Sequence, residues 1–263
     1  MSSNQKIIIE RYSSGAEDSR SEGSRSSGVE FYYTEKLLRR CIRPDSDVIE
    51  LGAATGYYAM RLADACNSYT GIDLSPDNIR IFSRKLADSG LTNVRAAVGD
   101  ATRLENIPDN SFDAVFCLGP MYHLPPEERA LVFDECRRIA KDGALLAFAY
   151  INRIGVYAGA CCNDNWRRIY PNERTNRFVF DNSTDDVNPD VFFFTSPEEM
   201  EADASAHKLE PIANHGLDFF FASCTIDGMS DEQYACWLEL SDRMVESRSC
   251  VGLANHALMI CRK

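Results

Sequence analysis

Basic residues are scarce in this sequence relative to acidic ones. It has 28 Lys and Arg against 40 Asp and Glu, so its formal net charge is −12. A protein that binds nucleic acid on its own carries a basic surface, so this balance argues against nucleic acid as a partner. No apolar run approaches the roughly 20 residues that cross a bilayer, and the first residues lack the pattern of a secretory signal. We therefore expect neither a membrane nor a nucleic-acid partner.

The sequence also lacks any Cys-x-x-Cys pair, although it contains ten cysteines. This absence argues against a zinc ribbon and against a thioredoxin-like site. Several cysteines lie inside apolar runs, where a reduced thiol packs as a small hydrophobic group. Without a secretory signal or a disulfide framework, the pattern predicts a reduced, cytoplasmic protein without a metal site. Only the adjacent Cys161 and Cys162 leave open a soft-metal site as an alternative to ordinary thiols.

The first 30 residues differ in composition from the rest of the chain. Residues 13–28 are mostly Ser and Gly with scattered charges. Such a segment buries too little apolar surface to offset the entropy lost on ordering. We expect either a flexible arm or a lid that orders over a ligand. The remaining length and the 44% hydrophobic content suit one domain over residues 1–263.

Apolar runs and helical patterns alternate from residue 47 onward. This alternation predicts a parallel, doubly wound α/β sheet. Ser75 followed by Pro76 predicts a helix start, and Gly90 and Gly143 are predicted to end helices. The first five predicted strands are residues 47–51, 68–73, 93–98, 112–118 and 144–151.

The second half of the chain follows a different pattern. Residues 152–194 are polar and aromatic without a clear period, and a long irregular connection in a compact domain is usually functional. We interpret this segment as an insertion that covers the substrate. Residues 195–263 are expected to complete the sheet with strands at 219–224 and 256–261 and helices that begin at Ser196 and Ser230. Two late strands separated by a helix predict an antiparallel edge strand, and seven strands in total.

A glycine-rich turn, residues 52–56, follows the first predicted strand. Such a turn lets the backbone approach a ligand at the carboxyl end of a sheet. A dinucleotide-binding turn has the pattern G-x-G-x-x-G. Counted from Gly52, Ala54 and Tyr57 stand where that pattern has its second and third glycines. A nucleotide-dependent oxidoreductase on the same sheet is therefore disfavoured, but it stays an alternative.

Four motifs in order resemble those of the class I S-adenosylmethionine-dependent methyltransferases. They are Glu50-Leu-Gly-Ala-Ala-Thr-Gly56, Asp73 at the end of the second strand, Asp100 after the third, and the fourth strand leading into residues 118–124. The resemblance covers residues 45–151 and implies a Rossmann-like cofactor-binding half there. It implies S-adenosylmethionine as cofactor and S-adenosylhomocysteine as product. The implied cofactor-binding residues are Glu50, Gly52, Ala53, Ala54, Gly56, Tyr57, Asp73, Leu74, Asp100, Ala101 and Leu118.

The resemblance also implies a role for each acidic residue. Asp73 would bind the ribose hydroxyls, Asp100 would contact adenine, and Glu50 would orient the turn and meet the cofactor's ammonium group. The turn's backbone would meet the cofactor's carboxylate. Taken alone, an aspartate such as Asp73 or Asp100 is more often a helix cap or a turn residue. Asp113 is expected to be structural.

The segment Gly119-Pro-Met-Tyr-His-Leu124 is similar to that of an uncharacterised bacterial subgroup of small-molecule methyltransferases. The fold implied by the resemblance places it nearest the transferable methyl. His123 is then a candidate base or substrate anchor, and Tyr122 a candidate for shaping the methyl pocket. The alternatives are that His123 packs on the cofactor or caps a helix, and that Tyr122 is a core residue.

The predicted acceptor is a small molecule methylated at oxygen, nitrogen or sulfur. The D/N-P-P-Y signature of enzymes that methylate base amines is absent, which agrees with the acidic charge. A catalytically silent protein that only binds S-adenosylmethionine remains an alternative. The predicted cover has a basic and aromatic character that suits an anionic or aromatic substrate, from Arg153, Trp166, Arg167, Arg168 and Arg174.

Overall fold

One twisted sheet organises the chain. The computed structural model describes residues 3–12, 16–162, 172–181, 192–220 and 225–263. Within them the strand order is β3-β2-β1-β4-β5-β7-β6. The first five strands are parallel, and β7 runs antiparallel between β5 and β6 at one edge. The predicted mostly parallel, seven-stranded sheet with an antiparallel edge is thereby confirmed. The strands are β1 (Asp47–Leu51), β2 (Ser68–Asp73), β3 (Val94–Val98), β4 (Phe112–Cys117), β5 (Ala140–Ile151), β6 (Glu210–Gly216) and β7 (His256–Arg262).

Helices cover both faces of this sheet. Buried residues of α2, α3, α4 and α9 form one core cluster, and those of α5 and α8 form the other. Each of these six helices turns its buried apolar side to the sheet, and this burial drives the packing. The described helices are α1 (Ser3–Tyr12), α2 (Arg25–Arg40), α3 (Tyr57–Leu62), α4 (Pro76–Ser89), α5 (Pro126–Ile139), α6 (Arg153–Cys162), α7 (Glu173–Asp181), α8 (Pro197–Ala206) and α9 (Asp231–Val245). None of them is long and apolar enough to cross a bilayer.

Side chains predicted to cap helices do so. The Ser75 hydroxyl accepts a hydrogen bond from the Asn78 backbone N–H, and Gly90 ends α4 with a left-handed φ of 74°. Ser196 and Ser230 each form a capping box with the Glu or Gln three residues later. These bonds satisfy N–H groups that have no partner inside the helix, so each start is specified locally.

The predicted helix end at Gly143 is wrong. Helix α5 already ends at Ile139, and β5 begins at Ala140, which pairs with Phe112 of β4. Backbone N–H groups of Asn110 and Ser111 donate to the last carbonyls before this strand. Gly143 instead lies within β5 at a φ of 79°, where the pairing with β4 is irregular.

The prediction of a strand at residues 219–224 is wrong for residues 219 and 220, the part that the structure describes. Phe219 makes only an isolated bridge with Ala254, and residues 221–224 lie outside the described residues. The sixth strand is Glu210–Gly216 instead. This strand is hard to recognise in the sequence because it contains Pro211, and proline is rare inside strands. The sheet accommodates Pro211 because β6 is an edge strand whose register shifts at that residue.

The two predicted covering segments contain helices in their described parts. In the first, residues 3–12 form α1, and α2 begins at Arg25 after the cap residue Ser24. In the second, α6 and α7 pack together, with Tyr157 and Phe180 rings 5.4 Å apart. The lid, the insertion and the single-domain division remain predictions. Residues Trp166, Arg167, Arg168 and the side chain of Arg174 lie outside what the structure describes.

Candidate active site

The glycine-rich turn packs its backbone against the end of β4. Gly52 has a φ of 81°, and a Cβ there would lie 2.8 Å from Cδ of Pro120 and 3.0 Å from the backbone nitrogen of Gly119. Only glycine permits both the backbone conformation and this approach. Ala54 has a φ of 44°, which is uncommon for a residue with a side chain. Its N–H donates to Oδ2 of Asp73 at 2.8 Å, which helps to hold the turn in that conformation.

Most backbone donors of this turn are already used inside the protein. The N–H groups of Gly52 and Ala53 both donate to the carbonyl of Ile72, at 2.8 and 2.9 Å. The Gly56 N–H donates to the Ala53 carbonyl at 2.8 Å. These groups are therefore not available to the carboxylate of a cofactor. For these three N–H groups, the expectation that the turn's backbone binds the cofactor's carboxylate is wrong.

Asp73 combines a structural and a site role. Its Oδ1 accepts from the Ser75 N–H at 2.8 Å and from Nδ2 of Asn78 at 3.1 Å. Burial raises the pKa of Asp73, while these bonds and the one from Ala54 oppose the rise. The carboxylate thus organises both the turn and the start of α4 while it lines the central cavity.

Asp100 joins β3 to the N-terminal helix. Its Oδ1 accepts from the backbone and hydroxyl of Thr102, at 2.9 and 2.7 Å. Its Oδ2 accepts from Nε2 of Gln5 on α1, at 2.6 Å. The amide group of Gln5 therefore occupies the hydrogen-bonding position that the resemblance implies for the adenine amine.

Glu50 is a buried carboxyl group whose hydrogen bond comes from a neutral hydroxyl. It is 1% exposed, and its Oε2 accepts from the Tyr69 hydroxyl at 2.9 Å. No ion pair to it forms among the residues described by the structure. Burial raises the pKa of Glu50 to about 8, despite the opposing bond from Tyr69, and the charge of Asp73 adds to the rise. A bound cation would restore ionisation, since a nearby positive charge favours the carboxylate.

These groups line one cavity of about 140 Å³ at the carboxyl ends of β1, β2 and β4. The structure brings together every residue predicted to bind the cofactor except Gly56, which packs against Phe82 instead. Tyr122 and His123 line the same cavity. Sequence reasoning missed the residues that come from the N-terminal segment, because no local signal connects them to the sheet. These are Gln5, Ile8, Tyr12, Arg20, Glu30 and Phe31.

His123 is held in an aromatic cluster. It is 7% exposed, and its Nε2 lies 2.9 Å from the Tyr12 hydroxyl. The rings of Tyr122 and Phe192 lie 4.6 and 5.2 Å from the imidazole. The Tyr122 hydroxyl donates to the Leu118 carbonyl at 3.1 Å. Tyr122 and His123 therefore form a fixed wall of the cavity.

Two other expected features can be located. Asp113 accepts from the Asp47 N–H at 2.9 Å and from the Lys141 ammonium at 2.7 Å, outside the residues that line the cavity. Cys161 and Cys162 are free thiols. Among the residues that the structure describes, no group of three His, Cys, Asp or Glu side chains is arranged to hold a metal ion.

Comparison with known proteins agrees with this geometry. Residues 48–143 match the family model described as "Methyltransferase domain". This part of the chain is a class I, S-adenosylmethionine-dependent methyltransferase domain. It is similar to the ubiquinone biosynthesis O-methyltransferase of Paracidovorax citrulli, with 27% identity over 106 residues, and to the uncharacterized methyltransferase YcgJ of Bacillus subtilis, with 28% over 104 residues.

These sequence matches are partial. Each covers 40% of this chain, and they cover 44% and 40% of the two relatives. Solved structures match a larger share of this chain. The partner of the Trm112 methyltransferase activator from Haloferax volcanii has a TM-score of 0.63 at 17% identity, over 97% of this chain and 96% of that one. The YcgJ structure has a TM-score of 0.56 at 17% identity, over 88% and 99%. At these identities the likeness shows a shared fold.

Proposed function

We propose that this protein transfers a methyl group from S-adenosylmethionine to an oxygen, nitrogen or sulfur atom of a small molecule. One observation carries the proposal: three carboxyl groups, Glu50, Asp73 and Asp100, line one cavity at the end of the sheet. The cofactor presents three donors in a row: an ammonium group, a ribose diol and an adenine amine. The set of acceptors in the cavity fits this set of donors.

Each group has a matching partner. Glu50, which has no cationic partner in the described part of the chain, would hold the ammonium group, and Asp73 would hold the ribose hydroxyls. Asp100 would accept from the adenine amine in place of Gln5. For the cofactor's carboxylate we propose Arg20, which lines the same cavity, because the N–H groups of Gly52, Ala53 and Gly56 are already used.

The residues of the chain mainly supply positioning. The bound cofactor supplies a methyl group already activated on a sulfonium. Tyr122 and His123 line the cavity beside the end of β4 and would fix the direction from which an acceptor approaches. Holding two reactants in line lowers the barrier by up to several kcal/mol. A base is needed only where the acceptor must lose a proton during the reaction.

The choice of a small-molecule acceptor rests on relatives and on composition. Several relatives are named as ubiquinone biosynthesis O-methyltransferases and one as a demethylmenaquinone methyltransferase. The acidic charge and the missing D/N-P-P-Y signature point the same way. A cytoplasmic location and the absence of a nucleic-acid partner remain predictions from the sequence.

Ligand binding tests the proposal directly. We expect S-adenosylhomocysteine to raise the melting temperature of the protein and NAD to leave it unchanged. Stabilisation by NAD alone would replace the proposal with the oxidoreductase alternative. A panel of small phenols, amines and thiols, with methylated products scored by mass spectrometry, then separates an active enzyme from a silent binding protein.

The substitution Asp73→Ala should weaken S-adenosylhomocysteine binding by about 1–3 kcal/mol, through loss of buried hydrogen bonds to the ribose. Calorimetry measures the affinity. Asp113→Ala is the matched control, because Asp113 also accepts a backbone N–H bond but lies outside the residues that line the cavity. Equal affinities of wild type and Asp73→Ala would remove Asp73 from the site.

The substitution His123→Ala should lower the turnover rate at least about tenfold, because it also releases Tyr12 from its hydrogen bond. The pH profile separates the two proposed roles. If His123 is an anchor, as its bond to Tyr12 favours, the acidic limb of the profile remains. If that limb disappears together with a loss of about 100-fold or more, His123 is the base.

A further inference from the structure

A second cavity adjoins the proposed cofactor cavity. Its volume is about 380 Å³, within the range of small-molecule sites. The two cavities lie side by side, because four residues line both of them: Tyr12, Arg20, Glu30 and Tyr122. We call this second cavity the side chamber. The rest of its lining includes Ile151, Phe192, Asp218 and His256.

The side chamber contains a histidine that is held by two carboxylates. Nδ1 of His256 lies 2.7 Å from Oδ2 of Asp218 and 3.6 Å from Oε2 of Glu30. The His256 backbone N–H also donates to Asp218, which fixes the pair. Nε2 of His256 has no hydrogen-bond partner among the residues that the structure describes, and it is not sealed from solvent. This nitrogen is therefore available to a molecule in the chamber.

The charge around His256 keeps its ring protonated. Burial by itself lowers the pKa of His256, but the charges of Asp218 and Glu30 outweigh burial and raise the pKa to about 9, while Arg20 opposes them. At neutral pH the ring is then an imidazolium whose Nε2–H is a donor.

The chamber as a whole favours an anionic, flat occupant. Glu30 is paired with Arg20 at 2.5 Å, and Asp218 with His256, so each carboxylate has a cationic partner. Arg11 adds a further cation, 5.1 Å above the Phe192 ring. Phe192 and the two tyrosines that line both cavities, Tyr12 and Tyr122, supply apolar faces for an aromatic ring.

We propose that the side chamber binds the methyl acceptor, and that this acceptor is an ionised phenol whose oxygen accepts a hydrogen bond from Nε2 of His256. The inference rests on the proposed methyl transfer and adds the acceptor class. The phenol proton leaves to solvent on binding. The phenolate oxygen forms a bond to the methyl carbon, the carbon–sulfur bond breaks, and its electron pair stays on sulfur. The products are an aryl methyl ether and S-adenosylhomocysteine.

The ligand 4-nitrocatechol tests this proposal, because its ionised form absorbs at longer wavelength than its neutral form. It is added to protein saturated with S-adenosylhomocysteine, at a pH where the free compound is mostly neutral. We expect the bound compound to show the phenolate spectrum. In His256→Gln its dissociation constant should rise about 10- to 100-fold, since a hydrogen bond to a charged donor is lost. Asp218→Asn should also raise the dissociation constant for 4-nitrocatechol.

The control is His207→Gln. Nδ1 of His207 also lies 2.7 Å from an aspartate, Asp134, but this pair lines neither cavity. The affinity of the His207→Gln variant for 4-nitrocatechol should equal that of wild type. S-adenosylhomocysteine affinity and melting temperature are measured for all variants, so that a folding defect is recognised. With S-adenosylmethionine present, mass spectrometry should detect the monomethyl ether.

Three results would overturn the phenol proposal. The first is equal 4-nitrocatechol affinity in wild type and His256→Gln, and the second is a neutral-form spectrum or no binding to the wild-type complex. The third is tighter binding of 4-nitrobenzylamine, which would indicate an amine acceptor held by Glu30. In each case, retained S-adenosylhomocysteine binding leaves the proposed function standing. Loss of that binding in wild type would instead refute the proposed function itself.

Discussion

Replacing Glu50 by Gln should make the free protein more stable and the cofactor bind more weakly. Glu50 is fully buried, and its pKa of about 8 compares with an ordinary value near 4.5. Between these values the folded protein keeps a proton that the unfolded chain has lost. The free energy of unfolding therefore falls as the pH rises through this window. Gln has no proton to lose, so this pH-dependent loss disappears.

The expected gain is up to about 4 kcal/mol at about pH 8, or up to roughly 8–16 °C in melting temperature. Gln can still accept the hydrogen bond from Tyr69, so packing is largely preserved. Cofactor affinity should fall by about 2–5 kcal/mol, because the ammonium loses its buried carboxylate. Thermal denaturation at several pH values and calorimetry with S-adenosylhomocysteine measure the two effects.

Glu135→Gln is the control for this prediction. Hydrogen bonds from Arg138 lower the pKa of Glu135, so its charge stabilises the folded state at neutral pH. Its substitution should destabilise the protein and leave cofactor affinity unchanged. Binding to wild type near neutral pH should also release a proton as Glu50 ionises. A lower melting temperature for Glu50→Gln at about pH 8, or no proton release, would contradict the role given to Glu50.

Replacing Gly155 by Ala should strongly destabilise the fold. Gly155 lies in α6, and a Cβ there would overlap the carbonyl oxygen of Ala254. This obstacle is backbone, so it cannot move aside as a flexible side chain would. Asn152, just before α6, donates from its buried amide to the carbonyls of Val251 and Ala254, which locks the two segments together. We expect a loss of about 3 kcal/mol, or roughly 6–12 °C in melting temperature.

Gly159→Ala is the matched control in the same helix. A Cβ at Gly159 would lie 3.4 Å from Cβ of Phe220, which is close to ordinary contact. In a helix, Ala is favoured over Gly by up to about 1 kcal/mol. Gly159→Ala should therefore be neutral or mildly stabilising. If the two variants had equal melting temperatures, α6 would not pack on the Ala254 backbone as described.

Local patterns explain which parts of the fold the sequence could predict. The first five strands are short apolar runs bounded by turn residues, and caps such as Ser75 act within three residues. Such signals can be read from one short segment of the sequence, without knowledge of the rest of the fold. Strand β6 escaped prediction because Pro211 is tolerated only at a sheet edge, and the edge is set by distant pairing. Gly143 was misinterpreted because the pairing of Ala140 with Phe112, rather than any glycine, ends α5.

The sequence by itself determined where Glu50, Asp73 and Asp100 would lie. Glu50 lies in its strand, and Asp73 and Asp100 at the ends of theirs; the carboxyl ends of parallel strands meet at one edge of the sheet. Only the tertiary structure decided what closes the site. Gln5 bonds to Asp100 from 95 residues away, and Tyr12 to His123 from 111 residues away. A pattern within one segment carries no information about a partner so distant, because that contact forms only when the whole core packs.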